Sequence, residues 1–148
     1  MNSKSLRLLE RKLLVISCTA TKKNYHNAPA LEVYDGPTFR TLRKHIPPNV
    51  DVLIISAKYG IIGSEDKISP YNLRMTNERA SELKTQVSDK IDKFLSSGIY
   101  SEVFFELGKD YSNTVSINTS GYSMAKFTFD RGTIGIRLHN LKKWLENC

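Results

Sequence analysis

Apolar residues in this chain follow two patterns: short unbroken runs, and longer stripes at helical spacing. The runs are Leu13-Leu14-Val15-Ile16, Val52-Leu53-Ile54-Ile55 and Val103-Phe104-Phe105, the last continuing through Glu106 to Leu107. A strand without alternation is covered on both faces, as in a parallel sheet between helices. The stripes predict helices. Pro29 to Asp35 leads into the first, where Gly36 is a permitted N-cap and Pro37 a suitable first residue. Asp35, directly before that start, reads as a capping residue. Phe39, Leu42 and Ile46 then share a face, Arg40, Arg43 and Lys44 take a solvated one, and Pro47-Pro48 ends the helix. Thr76 or Asn77 caps a second helix with a stripe of Ala80, Leu83, Val87, Ile91, Phe94 and Leu95, which Gly98 stops. Gly132 to Gly135 opens the last helix. Its buried face is Ile134, Leu138, Leu141 and Leu145, with Arg137, Lys142 and Lys143 turned away.

Weaker signals fill the gaps. Val115-Ser116-Ile117 reads as a short strand, and Phe127 to Phe129 as another strand or a loop over a site. Ile61 to Thr76 has no clear period and reads as a long loop, the kind that is functional or mobile in a compact domain. Met1 to Lys12 reads as a frayed end or a short helix on the body. Strands alternating with helices predict an α/β fold, a three-layer sandwich with a mostly parallel sheet flanked by helices. Residues 1–148 make one domain of ordinary size.

The pattern also locates candidate chemistry. Each strong strand ends in polar residues: Ser17, Cys18, Thr19 and Lys22 after the first, Ser56 to Gly60 after the second, Gly108 to Tyr111 after the third. In a parallel sheet those ends share one rim, where open α/β sheets bind ligands. Lys22 and Lys58 are the candidate catalytic residues. A lysine in a desolvated crevice beside a second cation can lose its proton and act as nucleophile or base; otherwise it contacts phosphate as a point charge. Cys18, Thr19, Tyr34, Ser56, Tyr59, Gly60 and Tyr71 are the candidate substrate-binding residues. Tyrosines Tyr25, Tyr34, Tyr59 and Tyr71 fall at loops or strand ends, where a ring can stack on a base or close a loop over the core. A reactive Cys18 would want a histidine, and His26 is nearest in sequence. Acid–base work would fall to Asp35, Glu65 or Asp66.

Composition sharpens this only a little. There are 22 Lys+Arg against 15 Asp+Glu, a net charge of +7, which favours a nucleotide or nucleic-acid partner, though no basic block concentrates it. Apolar content of 40% argues against disorder, and no apolar run approaches the ~20 residues of a membrane span. The two cysteines lack CxxC or Cys/His spacing, so neither a metal site nor a disulfide framework is expected, and a reducing cytoplasm is the expected location. Without G-x-G-x-x-G or a P-loop, no dinucleotide or other cofactor is expected.

Ile16-Ser17-Cys18 with Lys22, Pro29-Ala30 through Tyr34, Pro37 and Phe39-Arg40, then Ser56-Ala57-Lys58-Tyr59-Gly60 with Pro70-Tyr71, resemble an uncharacterised family of small stand-alone proteins of bacteria, phages and archaea. The Gly132 to Leu141 region is similar to that family's last helix. A weaker resemblance is to the core domain of archaeosine synthase, which modifies a deazaguanine base in tRNA. Its Pro-Cys-x-x-x-Lys-Pro-Tyr motif, with a lysine at the reactive centre, shares the spacing of Cys18 and Lys22. Here Ser17 and Asn24 replace the prolines, and Tyr25 lies one residue late. The resemblance implies a base-modifying transferase or glycosidase-like enzyme using Lys22. The alternative is a non-catalytic nucleic-acid binder acting through its basic surface.

Overall fold

A computed structural model describes residues 11–148, so the reading of the N-terminal segment lies almost wholly outside the described residues. The elements are β1 (Arg11–Ser17), β2 (Ala28–Pro29), α1 (Ala30–Val33), α2 (Pro37–His45), β3 (Val50–Ser56), β4 (Gly60–Gly63), β5 (Lys67–Ile68), α3 (Asn77–Leu95), β6 (Tyr100–Glu106), β7 (Lys126–Asp130) and α4 (Ile134–Glu146). The main sheet has the order β4-β3-β1-β6-β7, parallel except for antiparallel β4, and β2 pairs with β5 in a small second sheet. This is the expected α/β sandwich.

The three unbroken runs are β1, β3 and β6. Leu13 to Ile16 are all fully buried. Leu13, Val15, Leu53, Ile55, Val103 and Phe105 face α3 and its stripe. Leu14, Ile16, Val52, Ile54 and Phe104 face α1, α2 and α4. Each of these large side chains contributes ~1.5–3 kcal/mol by leaving water, and alternation sends successive residues to opposite layers.

Several local expectations are corrected. The segment after β3 is not a helix-bound loop but a hairpin into β4, with Ser56 opposite Gly60 across Ala57, Lys58 and Tyr59. Gly60 has φ 74°, the left-handed residue that closes a three-residue hairpin loop. Val115 to Ile117 forms no strand, because Ser88 of α3 satisfies its backbone. The Ser88 hydroxyl donates to the Thr114 carbonyl (3.2 Å) and accepts from the Ser116 N–H (3.0 Å). Phe127 to Phe129 does form a strand, within β7. Arg43 is not solvated. It donates to the carbonyls of Leu31 (3.1 Å) and Tyr34 (2.8 Å) and to the Asp35 carboxylate (2.7 Å), tying α2 to α1. Asp35 therefore pairs with arginine rather than capping α2, and Arg43 and Arg40 hold its carboxyl well below the usual range. In α4 only Leu141 and Leu145 are fully inside; Ile134 is 71% exposed, while Arg137 turns inward. Among the described residues no helix is long and apolar enough to cross a membrane.

A Cβ on Gly60 would run into the Gln86 side chain of α3, in a conformation already unfavourable for an L side chain. Gly60→Ala is expected to lower unfolding free energy by ~1–2 kcal/mol, measured by urea titration against wild type.

Candidate functional site

The chain leaves β1 to one side to build β3, through α1 and α2. It then crosses back over β1 to build β6, with α3 on the opposite layer. The sheet therefore has its topological switch point between β1 and β6, the place where open α/β sheets generally bind ligands. Here the Gly108 N–H donates to Ser17 Oγ (3.0 Å), and Cys18 Sγ lies 3.0 Å from the Tyr111 hydroxyl. A Cβ on Gly108 would stand 3.6 Å from both Ser17 and Tyr111 and 3.9 Å from Arg137, so the three side chains ring that position.

A chain of hydroxyls enters from β3. Ser56 Oγ accepts from the N–H groups of Lys58 (3.2 Å) and Tyr59 (3.0 Å), which occupies both of its lone pairs. Its own proton therefore points to the Tyr71 oxygen, 2.7 Å away. Tyr71 donates to Cys18 Sγ (3.5 Å), leaving Tyr34 to donate to Tyr71 across 2.7 Å. Burial raises the hydroxyl pKa of Tyr34, Tyr71 and Tyr111 far above the usual range, so all three remain O–H donors at neutral pH. Tyr71 reaches this rim because β5 pairs with β2 and returns the chain through Ser69 and Pro70. Tyr59 locks that return with its hydroxyl donating to the Ser69 carbonyl (3.2 Å).

Lys22 and Lys58 both approach the ring of Tyr71. Their ammonium nitrogens lie 4.3 Å and 5.9 Å from the Tyr71 centroid, and Lys58 also stands 5.2 Å from that of Tyr59. Lys22 sits on a loop strapped to Tyr34: Lys23 N–H donates to the Val33 carbonyl and Asp35 N–H to the Thr21 carbonyl. Lys58 is placed by Arg79 at the start of α3, whose guanidinium donates to the carbonyls of Ala57 (2.8 Å) and Lys58 (3.0 Å). Burial lowers the Lys22 pKa, with nearby Cys18 opposing.

The other predicted residues take supporting positions. Thr19 Oγ1 donates to the Asp35 carbonyl (2.7 Å). Tyr34 is fully buried; its hydroxyl joins the chain, and its ring meets Tyr71 edge-on at 6.3 Å with Lys22 Nζ 5.8 Å from its centroid. Gly60 turns the hairpin that presents Lys58. His26 is exposed and bonds Asn24, so Cys18 has phenols around it in place of an imidazole. Asp66 accepts from the Gly63 N–H (2.8 Å), holding a loop. Sequence reasoning missed the Glu106–Arg137 pair, which lies at the end of β6 with Nη1 to Oε1 at 2.9 Å. Arg137 Nε is buried without a hydrogen-bond partner. Burial raises the Glu106 pKa despite Arg137. Its one signal was an acid directly after the apolar run Val103-Phe104-Phe105. Tyr111, noted in its strand-end cluster, was likewise absent from the candidate binding set. Among the described residues no three or more His, Cys, Asp or Glu side chains gather as a metal site.

Residues 13–143 match the model of a Family of unknown function (DUF6884). The chain belongs to this family. The expectation of an uncharacterised small-domain family is met at that level. No curated protein matches. Among solved structures, the chain is similar to "Crystal structure of AF0587, a protein of unknown function", at 16% identity and a TM-score of 0.53, over 91% of this chain and 44% of that one. The DUF6884 chain thus spans less than half of that neighbour, and the likeness shows the fold.

Two outcomes follow for this DUF6884 site. Amine labelling of Lys22, followed by mass spectrometry across a pH series, should show a midpoint below the ordinary lysine value of ~10.4; a midpoint at or above it would count against a desolvated ammonium. Arg137→Ala should cost about 3 kcal/mol, because it strands a buried carboxylate. A raised folded-state carboxyl pKa penalises the charged form, so this loss should be full at about pH 8, shrink toward about pH 5, and be partly recovered by adding Glu106→Gln. Urea unfolding at both pH values measures it.

Proposed function

We propose that this chain binds a nucleobase or nucleotide, free or within nucleic acid, at the carboxyl rim of its sheet, and modifies the base. The observation that carries the reading is the approach of both Lys22 and Lys58 to the ring of Tyr71, whose hydroxyl joins the thiol of Cys18 and a chain of buried hydroxyls. Lys22 is the reactive amine: lowering its pKa raises the neutral fraction, which is the form that attacks or takes a proton. Lys58, exposed at the hairpin tip, supplies charge to a phosphate or to a developing anion. Tyr59 and Tyr71 hold the base, and Ser56 and Gly60 shape the floor. The Cys18-to-Lys22 spacing shared with the archaeosine synthase core domain supports a base as substrate.

A second reading has its own observation. A groove of about 600 Å³ between α2 and α4 is lined by Arg40, Lys44, His45 and Lys142 against the single acid Glu146. That excess suits a phosphate backbone bound without chemistry.

Equilibrium binding of nucleotides, RNA and DNA to folded variants separates the two. The first reading expects Lys22→Ala and Lys58→Ala each to weaken binding roughly tenfold, about 1.4 kcal/mol. If both variants bind as wild type, it fails. The second expects no such loss, with Lys44→Glu and Lys142→Glu weakening binding and flattening its salt dependence instead.

A further inference from the structure

Strand β7 ends the sheet, and among the described residues its outer edge has no partner strand. An open edge is a template for another strand, which proteins commonly blunt with short length, proline or charge. β7 carries Lys126-Phe127-Thr128-Phe129-Asp130, and Phe129 is 40% exposed.

The hydrogen-bonding sense of this edge is set by β6. The Asp130 carbonyl accepts from the Leu107 N–H. By alternation Lys126 and Thr128 also turn their backbone groups to β6, so Phe127 and Phe129 present theirs to the open edge. The side chains divide the same way. Phe127 packs on the α3 side and Phe129 stacks on Phe105 at 4.4 Å, while Asp130 reaches Asn140 of α4 on the other layer.

We infer that β7 pairs with β7 of a second copy of this chain, antiparallel and centred on Thr128. Only a strand whose sequence is complementary to its own reverse fits itself under a two-fold axis. This one is. In that register Phe127 faces Phe129 of the second copy as a hydrogen-bonded pair, twice by symmetry, which uses the four outward backbone N–H and C=O groups of each copy. Lys126 stands opposite Asp130 of the second copy, again twice, and Thr128 opposite Thr128. Aromatic pairs and opposite charges directly across a ladder are stabilising, and like charges there are not. Lys126 is exposed and available for the pairing. Asp130 accepts from Asn140 (3.0 Å) and Gly132 N–H (3.2 Å), which fix the carboxylate in place. Arg131 lies 5.6 Å from the Phe129 centroid, adding a cation at the margin of the seam. The resulting dimer joins two sheets into one continuous ten-stranded sheet, with the lysine-bearing rims at opposite ends.

The test is the oligomeric state in solution, by analytical ultracentrifugation of the full chain over a micromolar range. Wild type should run at twice the 16.8 kDa chain mass at high concentration and dissociate on dilution. Lys126→Glu, an exposed substitution that leaves the core intact, places like charges opposite each other twice and should raise the dissociation constant at least about tenfold. Hydrogen exchange on wild type gives a readout independent of any variant: the amides of Phe127 and Phe129 should be protected only at concentrations where the dimer forms. A monomer throughout, a dimer indifferent to Lys126→Glu, or a dimer whose Phe127 and Phe129 amides exchange as in the dilute chain would each overturn the pairing.

Discussion

The structure depends on the burial of β1 on both faces. Leu13 to Ile16 admit no polar atom other than backbone, so the strand must be paired along both edges and covered by both helical layers. Polar side chains can appear only where the strand leaves that environment. Ser17 and Cys18 are the first to do so, and β3 and β6, held parallel to β1 on either side, release Ser56 and Glu106 at nearly the same height. The concentration of hydroxyls, a thiol and an ion pair along this rim follows from the apolarity of the strands.

Within the rim, desolvation sets the chemistry. It keeps the phenols of Tyr34, Tyr71 and Tyr111 protonated and aligned, gives their chain of protons a direction toward Cys18, and lowers the cost of removing a proton from Lys22. The cation over the Tyr71 ring partly offsets that loss of hydration, by ~0.5–2 kcal/mol. Lys22 is therefore held in place by the same ring that orders the hydroxyls. The Glu106–Arg137 pair works against burial in a different way: removing both partners would cost little, while removing one leaves a buried charge. It joins α4 to the end of β6.

Much of this could be read from the residues alone. The three apolar runs specified buried parallel strands, and Gly36-Pro37, Thr76 and Gly98 marked helix ends, because these are local consequences of sterics and backbone hydrogen bonding. The convergence of the strand ends, Ser17 to Lys22, Ser56 to Tyr59 and Gly108 to Tyr111, followed from strand polarity once a parallel sheet was expected, whereas Tyr71 reaches the rim through the pairing of β5 with β2. The hairpin after Ser56 was legible in principle from Gly60 but was masked by Lys58 and Tyr59, which suit many loops.

Tertiary structure alone decided the rest. Arg43 and Arg137 occupy positions that a helical wheel assigns to solvent, and only the neighbouring carbonyls and carboxylates of other elements draw them inward. Tyr111, rather than His26, came to rest beside Cys18 because strand order, which periodicity does not encode, sets β6 against β1. The sequence determined which segments would be buried and where each would turn polar, since these depend on a residue and its near neighbours. Which polar groups met at the rim depended on contacts between residues up to 93 positions apart, and those exist only when the layers have packed.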